Sequence, residues 1–340
     1  MFDSPTPTGD DSALGCFGTG AGFTFCIPDD VAVTEPFAVT ENTLLDSSAS
    51  GACTFAVDQP QRICVKAATE ITIDGTLRLI GRDPVVLLAT TSLTMTANGS
   101  IDVASHRGEL VLGAGANAPE CAPSAPGLPD ASGGGGGGGG SFSNTGGIGG
   151  EGNSRPNSGG FAGLPVTTPL ALRGGGKAGG GGAGGKPGGV GGNGGGAVYL
   201  LSGGAIELAG RVNSSGAGGS RGADDRAGGG GGGSGGMIAV FATTELTTTA
   251  SVFANGGGGG EGGDSGNDGN DGFDPSQFDT TAAGGNDGNG GNGGQGGDGA
   301  FLTTLALAGV NAGDGGGGGG GGAGFILVVS GQALGPNVSP

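Results

Sequence analysis

The chain has 340 residues, of which 93 are glycine, 34% are hydrophobic and only 12% are charged. Its formal net charge of −18 leaves no basic patch to neutralise phosphates, which excludes nucleic acid as a partner and disfavours adsorption to anionic lipid. The apolar stretches, such as PVVLLA at 84–89, are far shorter than the roughly 20 residues of a membrane-spanning helix, so no span is predicted.

Glycine at this level leaves two interpretations of the long glycine tracts open. Ordering one residue costs roughly 1–2 kcal/mol, and glycine stands at the upper end of that range, so disorder of the tracts is the first interpretation. The second is an ordered packing that offsets this cost. The low charge and the clustering of apolar residues in short β-type runs argue against disorder of the whole chain.

Residues 1–15 are predicted to be a linker, and residues 16–66 a disulfide-bearing N-terminal cap. All five cysteines lie at or before Cys121, and none has the close spacing of zinc ligands. We predict two nearest-neighbour disulfides in an oxidising compartment, with Cys121 left over; five reduced thiols in a cytosolic protein are the alternative. The predicted pairs are Cys16 with Cys26 and Cys53 with Cys64.

An oxidising compartment implies an extracellular or cell-surface location. The opening MFDSPTPTGDDSA has neither the basic start nor the apolar stretch of a signal peptide. We therefore expect the export signal to lie upstream of this numbering.

Four β-type runs follow in chain order. Each has an apolar residue, a short polar or glycine bend, and a second apolar residue six positions later. The runs are EITIDGTLRLIG at 70–81, SLTMTANGSIDVAS at 92–105, AIELAGRVNSSG at 205–216 and ELTTTASVFANG at 245–256. No apolar pattern at helical spacing persists for three turns, so no helix is predicted.

The last two units overlay without a gap at an offset of 40 residues, which places Val198 on Ile238, Ile206 on Leu246 and Val212 on Val252. Repetition of short β-runs at a fixed period is typical of stacked parallel strands around one core. We predict an all-β fold, a parallel β-helix or β-solenoid over residues 67–335.

The glycine tracts lie between these strand units, as insertions at 133–160, 174–196, 216–236, 256–299 and 313–324. A glycine run can adopt the polyproline II conformation, with three residues per turn, and such segments can approach closely enough for their amides to bond one another. We expect polyglycine II-like packing there. Collagen is excluded, because glycine does not occupy every third position and the β-runs interrupt it.

Catalytic motifs are scarce. The pairs Gly176–Lys177 and Gly185–Lys186 lack the hydroxyl residue of a phosphate-binding loop. His106 is the only histidine and is expected to be structural or solvated, with a general base as the alternative. Adjacent Asp224 and Asp225 could serve acid–base chemistry on a sugar, but neighbouring residues of an extended chain point to opposite sides.

The densest acidic segment, GGDSGNDGNDGFD at 262–274, offers oxygen ligands suited to calcium. GGQGGDGAF at 293–301 has the form of one nonapeptide calcium repeat, although such repeats act in tandem. The candidate calcium ligands are Asp264, Asp268, Asp271, Asp274 and Asp298; a solvated acidic loop is the alternative. No other cofactor is predicted.

Five segments are informative as a set: CVKAATEITIDGTLRLIGRDPVVLLATTSLTMTANGSIDVASHRG, GAGANAPEC, GGGAVYLLSGGAIELAGRVNSSGAGG, GGGGGGSGGMIAVFA and VFANGGGGGEGG. Together they resemble glycine-rich exported or cell-surface proteins of bacteria. The resemblance covers roughly residues 16–335, and it implies location and architecture without supplying an active site. The alternation of polyglycine with apolar runs is also similar to the polyglycine sandwich of certain phage tip adhesins and to the glycine-rich ligand-binding domain of some receptor kinases.

These observations predict a non-enzymatic structural or adhesive surface protein. Its partner would be a surface polysaccharide, another cell-surface protein or a second copy of the chain. Two alternatives remain: a polysaccharide-active β-helix enzyme, which needs clustered carboxylates, and an ice-binding protein, which needs a regular threonine face. The run ATTELTTTAS at 242–251 suggests the latter.

Overall fold

The computed structural model describes residues 15–20, 22–58, 61–286, 291–329 and 332–339. Of the predicted linker 1–15, all but Gly15 lies outside these residues. Within the described ranges the chain is all-β, without helices, and its strands pair mainly in parallel, as predicted. No helix there is long and apolar enough to cross a membrane.

The strands are β1 (Cys16–Phe17), β2 (Phe25–Cys26), β3 (Phe37–Val39), β4 (Thr43–Asp46), β5 (Phe55–Asp58), β6 (Arg62–Ile73), β7 (Thr76–Ile80), β8 (Val85–Met95), β9 (Ser100–Asp102), β10 (Ala197–Ser202), β11 (Ala205–Leu208), β12 (Arg211–Asn213), β13 (Met237–Ala242), β14 (Leu246–Thr248), β15 (Ser251–Phe253), β16 (Phe325–Val328) and β17 (Val338–Ser339).

Successive strands stack in parallel in three places. The first stack consists of the first halves of β6 and β8, followed by β10, β13 and β16. The second stack begins with β3 and continues with the second halves of β6 and β8, then with β11 and β14. The third stack runs β4, β7, β9, β12, β15, β17. β6 extends unbroken across the predicted boundary between residues 66 and 67.

The register of these stacks confirms the 40-residue offset read from the sequence. Val198 pairs with Ile238, Ile206 with Leu246, and Val212 with Val252. Alternate side chains of the three stacks meet in one interior cluster that includes Leu87, Leu200 and Val240, all fully buried. Register is well defined here because a one-residue slip would turn every buried side chain outward.

β8, β10 and β13 are buried on both faces, which explains their continuous apolar runs VVLLA, AVYLL and MIAVF. Their second face packs against the N-terminal cap and the glycine-rich region. Tyr199 is the largest side chain there; its hydroxyl donates to the carbonyl of Phe23, and Phe23 and Phe25 contact its ring edge-on.

The cap holds both disulfides, and they are the pairs favoured by the spacing. Cys16–Cys26 joins the antiparallel strands β1 and β2, and Cys53–Cys64 joins the loop before β5 to β6. Each closes a short loop, with sequence separations of 10 and 11 residues.

The glycine tracts are ordered and form a hydrogen-bonded block that we call the glycine lattice, residues 125–324 outside the strands. Segment 133–140 lies inside it. Its amides donate in rotation, with a three-residue period, to segments 226–232, 125–128 and 147–150, and its carbonyls accept from three others: 316–322, 179–182 and 160. Segments 227–236, 254–264 and 314–324 are likewise surrounded by three acceptor and three donor segments.

These neighbour relations arrange the glycine lattice in four layers. The two outer layers have neighbours on one side only. The first, outer layer contains segments 158–164, 146–152 and 305–312, and the second contains 125–130, 133–140, 314–324 and 292–300. The third layer contains 174–183, 227–236, 254–264 and 281–286, and the fourth, again an outer layer, contains 187–196, 214–223 and 267–274.

Glycine is required inside the lattice because a side chain would overlap a neighbouring backbone. A Cβ atom at Gly136 would lie 1.9 Å from the carbonyl oxygen of Gly317, and one at Gly318 would lie 2.0 Å from that of Gly230. The requirement is steric: none of residues 134–140 has a positive φ angle. The close approach lets most buried amides of the lattice find a backbone partner, and this hydrogen bonding offsets the cost of ordering glycine.

Candidate functional site

The two outer layers of the glycine lattice form its broad exposed faces, so these faces are the candidate sites. The middle layers expose side chains at their edges, as at Leu128 and Lys177. The layer 187–196, 214–223 and 267–274, together with the adjoining loop 102–110, is called the charged face. It carries the ion pairs that link His106, Arg107 and Arg221 to Asp268, Asp271 and Asp274. The opposite layer, 158–164, 146–152 and 305–312, is called the apolar face.

Three aspartates of the charged face satisfy amides at the edge of the glycine lattice. Asp268, Asp271 and Asp274 are three residues apart, which is one turn of a three-residue helix, so their carboxylates lie on one side. They accept from the backbone N–H groups of the adjacent segment, at 2.7–2.9 Å. The amide of Asp224 donates to Asp268, that of Arg221 to Asp271 and that of Gly218 to Asp274. At this edge the carboxylates therefore accept the amide hydrogen bonds that backbone carbonyls accept inside the lattice.

Arginines cross-link the same aspartates. The Arg107 guanidinium donates to Asp271 at 2.7 Å and to the carbonyl of Gly272 at 3.1 Å. The Arg221 guanidinium reaches Asp268 at 3.3 Å and Asp271 at 3.4 Å. These pairs are half-exposed, so each contributes little alone. The contacts of Arg107 tie loop 102–110 to the lattice, whereas those of Arg221 link two segments of the charged face.

His106 lies between two carboxylates: that of Asp102, which is close in sequence, and that of Asp274, which is distant in sequence. Its Nε2 is 3.0 Å from Asp102 of β9, and its Nδ1 is 3.7 Å from Asp274. Contact with Asp102, and then with Asp274, raises the pKa of His106 to about 9. Burial alone would raise the pKa of both aspartates, but His106 and further partners hold both pKa values below the ordinary range. His106 is thus a charged structural link.

The predicted calcium ligands are used differently, and the structure does not bring the five together. Asp264 accepts from the amides of Gly266 and Asn267 at 2.7 Å, and Asp298 accepts from the amide of Gly284 at 2.9 Å. Among the described residues, no group of three or more histidine, cysteine, aspartate or glutamate side chains is arranged to hold a metal ion. Each of the five carboxylates accepts at least one hydrogen bond from a backbone amide of the chain.

An open polar groove of about 540 Å³ lies on the charged face. Its walls present guanidinium, carboxylate and carboxamide groups, which can hydrogen-bond hydroxyl groups. The lining residues are Arg221, Asp224, Gly266, Asn267, Asp268, Gly269 and Asn270.

The adjacent Asp224 and Asp225 do not form an acid–base pair. Asp224 accepts from Lys186 Nζ at 2.6 Å, whereas the Asp225 carboxylate lies against Gly185. Asp225 has a φ angle of 69°, in the left-handed region, as part of a turn between two lattice segments. The Gly185–Lys186 pair thus stabilises this turn, and Lys186 serves as an ion-pair partner.

The unpaired Cys121 is buried, and its thiol points toward the carbonyl of Gly174 at 3.8 Å. Burial raises the pKa of this thiol to about 11. We expect the native protein to react with a thiol reagent at pH 8 roughly 100-fold more slowly than an exposed cysteine, because so little thiolate forms. Unfolding without reductant should release one reactive thiol per chain. Native reactivity at the rate of a free cysteine would contradict this assignment.

The apolar face follows the same three-residue period in two segments, through Phe161 with Leu164 and Leu307 with Val310; Leu305 is out of phase with the second pair. Ile148 points outward, whereas Cβ atoms at its neighbours Gly147 and Gly149 would point at Leu307 of the next segment and Gly136 of the layer beneath. Only the backbone hydrogen-bond network revealed which apolar residues share this face. The sequence signal is the spacing of single apolar residues within glycine.

No protein-family model, curated protein or solved structure matches this chain.

Proposed function

We propose that the chain is an exported β-solenoid carrying a polyglycine II-like sandwich, and that it works as a non-enzymatic structural or adhesive surface scaffold. The observation that supports this most directly is the glycine lattice. Interior segments bond six neighbours and carry almost no side chains, so the architecture yields two flat outer faces held on a stacked β core. The two disulfides suit an oxidising, extracellular location.

The polar groove of the charged face is the proposed contact for a surface polysaccharide. Its guanidinium, carboxylate and carboxamide groups match the hydrogen-bonding needs of sugar hydroxyls, and its open form suits a chain better than a small enclosed ligand. Two further roles have less support. Asp224 and Asp268, the carboxylates of the groove, bond Lys186 and Arg221, an arrangement that gives less support to an acid–base pair for glycan cleavage. An ice-binding face would need an unbroken row of threonines. On the outer side of the second stack, Glu207 lies between Thr94 and Thr247 and interrupts such a row.

The test is binding of the immobilised protein to a panel of neutral and basic polysaccharides, with release of reducing ends measured in the same samples. We expect saturable binding without release. Arg221→Ala should weaken binding at least about 5-fold because it removes a charged hydrogen-bond donor from the groove. The main-chain amide of residue 221 would still bond Asp271, so the lattice edge would remain.

Arg155→Ala is the matched control. Arg155 is also half-exposed and paired with an aspartate, Asp130, but it lies outside the groove. It should bind like the parent chain. Release of reducing ends would assign the groove to an enzyme, and absence of binding to every polysaccharide and to bacterial cells would overturn the adhesive role.

A further inference from the structure

The apolar face presents large hydrophobic side chains that nothing in the described chain covers. They come from three neighbouring segments of one layer. The exposed fractions are 62% for Phe161, 75% for Leu164, 52% for Ile148, 63% for Leu305, 52% for Leu307 and 49% for Val310. Scattered exposed apolar residues are ordinary, but a contiguous set on one face marks an interaction surface.

Backbone bonds place these residues side by side. The amide of Gly309 donates to the carbonyl of Ile148, so Ile148 lies level with Leu307 and Val310 of the next segment. On its other side, the amide of Gly149 donates to the carbonyl of Gly160, next to Phe161. Because the layer beneath is a packed glycine lattice, the face is flat.

The face carries little charge, because its three segments, 146–152, 158–164 and 305–312, contain one charged residue, Glu151. Glu151 lies at the end of the face, and its carboxylate accepts hydrogen bonds from the amide of Asn157 and the side chain of Asn311, which orient it without neutralising it. The whole chain is strongly acidic, with a net charge of −18. Two copies would therefore repel one another in most orientations, and this repulsion is smallest where the apolar faces meet.

We propose that the apolar face binds the apolar face of a second copy, forming a two-fold symmetric dimer. At roughly 100 Å² for each half-exposed side chain, the face offers about 600–700 Å² of apolar surface, near the ~800 Å² per partner of a standard specific interface. A flat apolar surface is self-complementary, as such a dimer requires. The proposal rests on the scaffold function and names one partner for it.

The experiment is sedimentation equilibrium of the full chain between about 1 and 100 µM. We expect a mass of twice 31.4 kDa at the upper end, and tighter association on addition of sulfate, which strengthens apolar contact. Ile148→Lys should raise the dimer dissociation constant at least about 100-fold, because it places a charge in the centre of the interface. The substitution leaves all backbone bonds in place, because residue 148 points outward.

Val190→Lys is the matched control, because Val190 is 66% exposed on the opposite, charged face. It should dimerise like the parent chain. Leu307→Lys serves as a second variant if Ile148→Lys does not fold, as judged by thermal unfolding. A parent chain that is monomeric throughout, or a Val190→Lys variant that dissociates as much as Ile148→Lys, would overturn the proposal.

A monomeric parent chain that still bound alkyl-coated beads, and lost this binding in Ile148→Lys, would assign the face to another apolar partner. Polysaccharide binding by the groove is read separately. The two proposals therefore fail independently.

Discussion

Replacing Gly318 with alanine is expected to destabilise the protein by more than about 4 kcal/mol, or to prevent folding. The new Cβ would lie 2.0 Å from the carbonyl oxygen of Gly230. That oxygen accepts a hydrogen bond from the amide of Gly260, so it cannot retreat without leaving a buried amide unpaired. Relief would have to propagate to further segments, because each interior segment is bonded on six sides.

Gly313→Ala is the control for this substitution. Gly313 lies just before the same tract, is exposed, and has no atom within 4 Å of the position of a Cβ. It should change stability by no more than about 0.5 kcal/mol. Thermal unfolding followed by circular dichroism measures both variants, and an insoluble Gly318→Ala product beside a soluble Gly313→Ala product is the same result. Equal stability of the two variants would mean that the glycine lattice does not pack as described.

Raising the pH from 6.5 through about 9 is expected to cost roughly 2–3 kcal/mol of stability. The folded state raises the pKa of His106 from 6.5 to about 9, so the folded chain binds a proton that the unfolded chain has released. This contribution is complete below pH 6.5 and is lost as the pH rises through about 9. The His106 side chain is 26% exposed. Because solvent screens its contacts with the carboxylates, the expected loss of stability is smaller than the free energy that corresponds to the full pKa shift.

The neighbouring carboxylates act in the opposite direction. The pKa values of Asp102 and Asp274 are depressed in the folded state, so their contribution is present above their ordinary pKa near 4 and is lost as the pH falls. Stability from this cluster should therefore be greatest between about pH 4 and 6.5. Arg78, which is 3.2 Å from Asp102, opposes protonation of the histidine.

His106→Gln separates this effect from other titrations. A glutamine amide can still donate to Asp102 but does not titrate, so the loss of stability between pH 6.5 and 9 should disappear from the urea-unfolding free energy. If the variant loses as much stability across this interval as the parent chain, another group is responsible. The salt dependence provides a second check, because the parent chain should lose part of the contribution at high ionic strength.

The repeated strands could be predicted from the sequence because their spacing is a local property. The offset that placed Val198 on Ile238 and Val212 on Val252 is the register that the sheets use. Alternation and fixed period suffice here, since a slip would expose the core. The disulfide pairs could be predicted for the same reason, because each closes a short loop.

The contacts of the charged residues at the candidate site could not be predicted from the sequence in this way. The density of aspartates in segment 262–274 indicates oxygen ligands for calcium, but it does not indicate that Asp268, Asp271 and Asp274 bond the amides of a neighbouring segment. The contact between His106 and Asp274 joins residues far apart in the chain, and no local pattern encodes it. A carboxylate serves metal, arginine or amide equally well, and its neighbours in space determine which.

The sequence by itself determined an all-β chain with stacked parallel strands, because hydrophobic period and strand spacing act locally. Its glycine tracts restricted the intervening segments to close backbone packing, since only a chain without side chains can approach so many neighbours. The order of those segments in layers was decided by the tertiary structure alone. Glycine runs of nearly identical composition carry no register signal, so their neighbours, and with them the charged and apolar faces, follow from where the stacked strands begin and end each insertion.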